Sequence, residues 1–197
     1  MKWPTNASAL SRLAFGVDVS SADDFSRLGL QGWIENQLLP DVSIDTACTR
    51  RIVELKLRIR YGESKDWAAA DEMRAPQFLA APSDKLFALT EPSKPVANQE
   101  KVRPRVEVTA ATLLRAVYSR WQLREVLCDF WHNHFNVNAW DHAVGVALPV
   151  YDREVIRRHC FGNFREMLEA VTKSTAMLWY LNNRSSRSGA PNENYAR

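Results

Sequence analysis

Glycine is scarce in this chain, and so is cysteine. Seven glycines in 197 residues are too few for a sheet-rich fold with many tight turns. The three cysteines, Cys48, Cys128 and Cys160, are isolated and odd in number. They show no CxxC spacing and no even framework, so they read as reduced thiols rather than a disulfide scaffold. No run of about 18 apolar residues exists, so no membrane-spanning helix is expected. There is no block of Lys and Arg and no Gly-rich phosphate loop. The net charge of +3 is spread along the chain, which is too weak to argue for nucleic acid. Met1–Asn6 carries no apolar run of the kind a secretory leader needs, so the residues leave the compartment open. Hydrophobic content of 46% and charged content of 25% are those of a globular protein with a sizeable core.

The chain is organised around Trp121–Asn138, WQLREVLCDFWHNHFNVN. At about 100° per residue, Leu123, Val126, Leu127, Phe130, Trp131 and His134 fall on one side of a helix. Glu125, Asp129, His132 and Asn136 fall on the other. Two histidines at i and i+2 of a helix point apart and do not easily share a metal. Asp129, one turn before His132, is placed to orient that imidazole, which suits a general base or a metal ligand. His134 reads as a core histidine, and Phe130, Trp131, Phe135 and Trp140 as core packing.

Short helices are expected at Asn6–Phe15, Ala22–Leu28 and Leu30–Leu39, the last two separated by Gly29. Ser43–Tyr61 fits both periods. Val53, Leu55, Leu57 and Ile59 alternate as in a strand, yet length and a cap at Ser43 or Asp45 tip it to helix. Residues 62–104 hold five of the nine prolines and read as a long internal loop or linker, with short helices near Asp66–Met73 and Asp84–Leu89. Val106–Arg120 is a helix, and Asn136–Pro149 an irregular connection. Pro149 then opens a helix over Val150–Phe161. Its basic face, Arg153, Arg157, Arg158 and His159, is interleaved with Asp152 and Glu154 and reads as solvated. Asn163 caps Phe164–Lys173, and Ser174 or Thr175 caps Ala176–Asn182. Asn192 looks like the cap of a last helix, with Glu193 in its first turn. The expected fold is all-α: an array of eight to ten short and medium helices with one long Pro-rich loop, forming a single helical domain over 6–197. The last helix has little propensity to form alone, which leads to the expectation of an N-terminal portion of a longer protein.

Several motifs occur in a fixed order: Leu10–Gly16, Leu114–Ser119, Leu123–Val126, Phe130–Val137, Tyr151–Arg157, Ala176–Asn182 and Pro191–Arg197. Together they resemble the bacterial domain-of-unknown-function family 1800, from about Ser8 to the end. The resemblance implies a mostly helical fold in members more than twice this length. It also implies export of many members, encoded beside a second exported family, and hence a partner protein. It implies no reaction.

Two functions follow as expectations. One is an exported binding or assembly module working with that partner. The alternative is a metal-assisted hydrolase. In it the stripe of Asp129 and His132 faces the Asn192–Arg197 helix across a cleft, and His132, Asp129 and Glu193 act as catalytic residues and hold a divalent metal. His134, Asn133, Asn136, Asn192, Asn194 and Arg197 complete the candidate binding set.

Overall fold

The structure, a computed structural model, describes residues 5–17, 19–189 and 192–196, with the side chains at 5–7, 19, 20, 42, 194 and 196 outside that description. It is predominantly helical with one small hairpin. In order, α1 is Thr5–Leu13, α2 Val19–Leu38 and α3 Thr46–Glu54; strands β1, Leu57–Tyr61, and β2, Ala70–Arg74, follow. Then come α4 Ser83–Phe87, α5 Asn98–Tyr118, α6 Gln122–His134 and α7 His142–Val150. A π-helical turn, Tyr151–Ile156, continues α7 into α8, Arg157–His159. The chain continues with α9 Phe164–Lys173, α10 Thr175–Tyr180 and α11 Glu193–Ala196.

Helices α1 and α2 fold onto the start of α6. Leu10, Phe25, Trp33 and Leu123 bury one another there. Gly29 breaks α2 as expected: at φ 69° and ψ 175° it is non-helical, and only glycine takes that backbone without strain. The first amides of α6 have no side-chain cap of their own. Gln37 of α2 supplies one, its Oε1 accepting from the Leu123 amide at 3.2 Å while its Nε2 donates to the Arg120 carbonyl at 2.9 Å. A helix end satisfied from another helix cannot be seen in local sequence.

Ser43–Tyr61 splits, correcting the helical reading of its second half. α3 ends at Glu54, and β1 pairs antiparallel with β2, Leu57 opposite Arg74 and Tyr61 opposite Ala70. The alternation was the true signal: Ile59 is buried while Arg58 and Arg60 are exposed. Asp45 precedes α3 but caps nothing. Its carboxylate instead accepts from the Ser119 hydroxyl at 2.6 Å and the Arg120 amide at 3.2 Å.

Within 62–104 the Pro-rich loops are punctuated by β2, where a helix near Asp66–Met73 was expected, by α4 and by the first turns of α5. The segment around residues 75–81 is pinned rather than free. Glu107, fully buried, accepts from the Gln77 and Phe78 amides at 2.9 and 2.7 Å, and Arg153 donates to the Leu79 carbonyl at 2.7 Å.

The expected irregular connection before Pro149 is largely a helix, α7. Val144, Gly145, Val146, Ala147, Leu148 and Pro149 are all buried. A helix apolar all round has no polar stripe and so no helical period to read. Asp141 caps it, accepting from the Ala143 and Val144 amides. Gly145 is required: a Cβ there would meet the Ala139 carbonyl oxygen at 2.6 Å. Pro149 lies inside the helix rather than opening one. It has no amide proton to continue the i→i−4 ladder, and the backbone widens into the π-helical turn just beyond it. The main core gathers α5, α6, α7, α9 and α10 around Tyr151, Ile156 and Met167.

Candidate functional site

Helix α6 enters the protein with Glu125 turned inward, 6% exposed. The Arg157 guanidinium meets it as a fork, Nη1 to Oε1 at 3.1 Å and Nη2 to Oε2 at 2.8 Å. Arg157 Nε donates to both oxygens of Asp152, at 3.2 and 3.0 Å. Asp152 Oδ1 also lies 3.0 Å from His132 Nε2. Thus α6 and the α7–α8 helix are joined by a chain of four polar side chains, Glu125, Arg157, Asp152 and His132. Arg115 of α5 closes on it, Nη1 being 3.8 Å from Asp152 Oδ2.

The π-helical turn makes this chain. In an α-helix, residues five apart point about 140° from each other at 100° per residue. The wider turn over Tyr151–Ile156 brings Asp152 and Arg157 to one side, both toward α6. Such single π turns recur at functional positions. Tyr151, 1% exposed, fixes the turn from the other side by donating to the Phe135 carbonyl at 2.8 Å.

The electrostatics follow from burial and pairing. Burial alone would raise the Asp152 carboxyl. The His132 hydrogen bond and the charges of Arg157 and Arg115 outweigh it, and the pKa falls well below the carboxylate range. Burial would lower the Arg157 pKa, but Asp152 and Glu125 hold it up. Arg115 goes the other way: burial, then repulsion from Arg157, lower it despite Asp152 and Glu125.

The expected stripe is therefore only half right. His132 is positioned by a carboxylate, but by Asp152 and not Asp129. Asp129 is exposed and accepts from Asn133 Nδ2, at 3.2 Å to its carboxylate and 2.8 Å to its carbonyl. His134 is a further correction: it is exposed, not core. Its ring stacks on Phe130 with centroids 5.8 Å apart and meets Trp131 and Phe135 edge-on. Asn133 and Asn136 are also exposed. Asn192 donates its amide to Ser186 and its side chain to the Asn182 carbonyl. Glu193 is exposed in the first turn of α11, a helix tied to α9 by the Tyr195 hydroxyl donating to the Thr172 carbonyl. Among the described residues no group of three His, Cys, Asp or Glu side chains is arranged to hold a metal ion, so the set of Asp129, His132 and Glu193 is not assembled. The Asn194 side chain and Arg197 lie outside the described residues.

Sequence reasoning passed over Asp152, Arg157 and Arg115. Arg157 was assigned to a solvated basic face, yet it is 9% exposed. The available signal was Tyr-Asp-Arg-Glu-Val-Ile-Arg itself, a charge-dense segment directly after a buried apolar run.

Residues 8–197 match the family described as protein of unknown function (DUF1800). The chain belongs to the DUF1800 family. No curated protein and no solved structure matches it. In this DUF1800 chain the matched span contains every side chain of the ionic cluster. No helix among the described residues is long and apolar enough to cross a membrane.

Proposed function

We propose that this DUF1800 chain is a helical binding and assembly module that engages a protein partner through an aromatic face of α6 and α9. One observation carries the reading. The apolar stripe of α9 is wider than the core it serves: Met167 and Val171 are buried, whereas Phe164 and Leu168 are 53% and 41% exposed. Phe164 stacks with Phe135, centroids 6.1 Å apart, and tilts against Trp131 at 6.0 Å. Phe130, 51% exposed, and His134 extend the same face. Contiguous exposed rings of this kind mark interaction surfaces more often than idle ones. Following the family resemblance, the partner belongs among exported bacterial proteins encoded beside it. A photo-cross-linking residue at position 134 should form an adduct with one such protein in cells. The double variant Phe130→Ala, Phe164→Ala should lose the adduct while keeping its circular dichroism. An adduct that persists in the folded double variant overturns the reading.

A second reading rests on the Asp152–His132 pair. An imidazole 25% exposed and held by a carboxylate at 3.0 Å is equipped for proton transfer in a hydrolase. Hydrolysis of generic ester or phosphoester substrates that disappears in folded His132→Ala supports it. Activity unchanged in that variant removes it.

A further inference from the structure

Arg115 stands apart from its neighbours. Its guanidinium is mostly buried, yet no hydrogen bond from it is found among the described residues. Its Nη1 is shielded from solvent and unpartnered, and the Asp152 carboxylate stops at 3.8 Å. A guanidinium has five donors, and buried donors are nearly always paired. Nη1 is turned to Asp152, so the donors a guest could reach are Nε and Nη2, which make no hydrogen bond and are not shielded from solvent.

The space for a guest is present. A cavity of about 250 Å³ opens between α3, α5 and α6, walled by Asp45, Cys48, Arg115, Arg124, Glu125 and Arg157. Its acceptors are already taken. Asp45 is held by the Ser119 hydroxyl and the Arg120 amide, and both Glu125 oxygens are held by Arg157. Arg157 is likewise spent on Glu125 and Asp152. The other two arginines have donors to spare: Arg124 reaches the Arg157 carbonyl at a long 3.4 Å and the Cys160 thiol, and Arg115 makes no hydrogen bond. Three arginines face two carboxylates across the wall, and Asp152 behind Arg157 balances the remainder. With donors free on Arg115 and Arg124 and the charges near balance, the cavity suits one negative charge rather than two. It is smaller than the roughly 300–1,000 Å³ of ordinary ligand sites, which limits the guest to a few heavy atoms.

We propose that this cavity binds a small monocarboxylate, or the carboxylate end of a larger molecule, with its oxygens bridging Arg115 and Arg124. A planar carboxylate can accept two parallel N–H groups from a guanidinium, which is the geometry Arg115 offers unused. The site lies apart from the aromatic face of α6 and α9, so either proposal can fail without the other.

The test uses acetate, lactate and inorganic phosphate as probes at constant ionic strength, by calorimetric titration and thermal unfolding. Saturable binding of acetate or lactate is expected, with a rise in melting temperature that follows ligand concentration. Arg115→Met should weaken that binding at least about tenfold while folding as well as the wild type, since no hydrogen bond is lost. Arg115→Lys should restore part of it. Should Arg115→Met fail to fold, Arg124→Met carries the same comparison. No saturable binding of either carboxylate up to about 50 mM overturns the proposal. So does binding that survives substitution of Arg115 or Arg124, or a clear preference for phosphate.

Discussion

Helix α5 carries two buried ionic clusters, and they differ in what they bind. The first surrounds Glu107 and Arg103, 0% and 3% exposed. Its acceptors serve irregular backbone and the hairpin. Glu107 takes the Gln77 and Phe78 amides, and Glu100 takes the Tyr61 hydroxyl at 3.0 Å and Arg74 at 2.6 Å. Arg103 spans Glu100, Glu107 and the Ala75 carbonyl and lies over the Phe78 ring, leaving only its Nε unpaired. The second cluster, around Arg157, joins side chains to side chains across three helices and leaves Arg115 without a hydrogen bond. The first is closed and holds a loop. The second is open on one side, and that side is a cavity. A buried amide obliges an acceptor to be present, so the closed cluster has a structural reason to exist. The open one satisfies no backbone amide, and an unmet guanidinium is a standing cost.

Breaking each cluster at its centre should have the largest effect. Arg157→Met leaves the Glu125 and Asp152 carboxylates buried without their cation and should cost about 3–5 kcal/mol, read as a lower urea midpoint. Glu107→Ala orphans two amides and Arg103 and should cost on the order of 3 kcal/mol. If Arg157→Met is no more costly than Arg115→Met, the distinction between paired and unpaired arginines collapses.

Acid titration sharpens the contrast, because the two carboxyls shift in opposite directions. The Asp152 pKa is depressed below its ordinary 3.8. Its contribution to stability is full above that value and is lost as pH falls through the folded value. Burial raises the Glu107 pKa above 4.5 despite its amide and Arg103 bonds. Its contribution is present below that value and is lost as pH rises through the folded one. In urea midpoints measured across the acid range, Asp152→Asn should flatten the loss at the lowest pH, and Glu107→Gln should flatten the loss on the higher side. The same slope in both variants would mean that the clusters do not titrate separately.

A smaller effect is expected at Arg115 without ligand. Arg115→Met removes an unpaired buried cation and should leave stability within about 1 kcal/mol of the wild type, or raise it. Denaturant unfolding of the variant beside Arg157→Met checks this directly.

The thiols should report the smallest difference. Burial, then Asp45, pushes Cys48 on the cavity wall up to about 11. At Cys160 the neighbouring Cys128 thiol, with Arg124 and Arg157, lowers the pKa against the opposing effect of burial. Peptide mapping after brief alkylation near neutral pH should find Cys160 labelled before Cys48. The reverse order would argue that access through the cavity, not thiolate character, governs reactivity.

Much of this was legible in the residues. Asn163 caps α9 as read, and Ser174, one of the two residues offered, caps α10; they accept from the Arg165 and Met177 amides, because a cap and the amide it serves lie two or three residues apart. Gly29 broke α2 for an equally local reason. The misreadings share a different cause. Helix α7 was missed because a segment buried on all sides carries no period. Strand β1 was outvoted by its helical neighbours. The partner of His132 was missed because Asp129 was in sequence reach, whereas Asp152 arrives from another helix.

The sequence by itself determined the family, the predominantly helical class and the helix ends marked by local caps or breakers such as Gly29 and Asn163, since propensity, caps and amphipathic period act within a few residues. Tertiary structure alone decided which charges meet. The π-helical turn after Pro149 rotates Asp152 and Arg157 onto one side, and α5 brings Arg115 up to them from outside the segment. A one-dimensional pattern can say that a charged residue faces inward. It cannot say which of several distant charges will be there to meet it, because that depends on how the helices pack and on one turn that departs from 100° per residue.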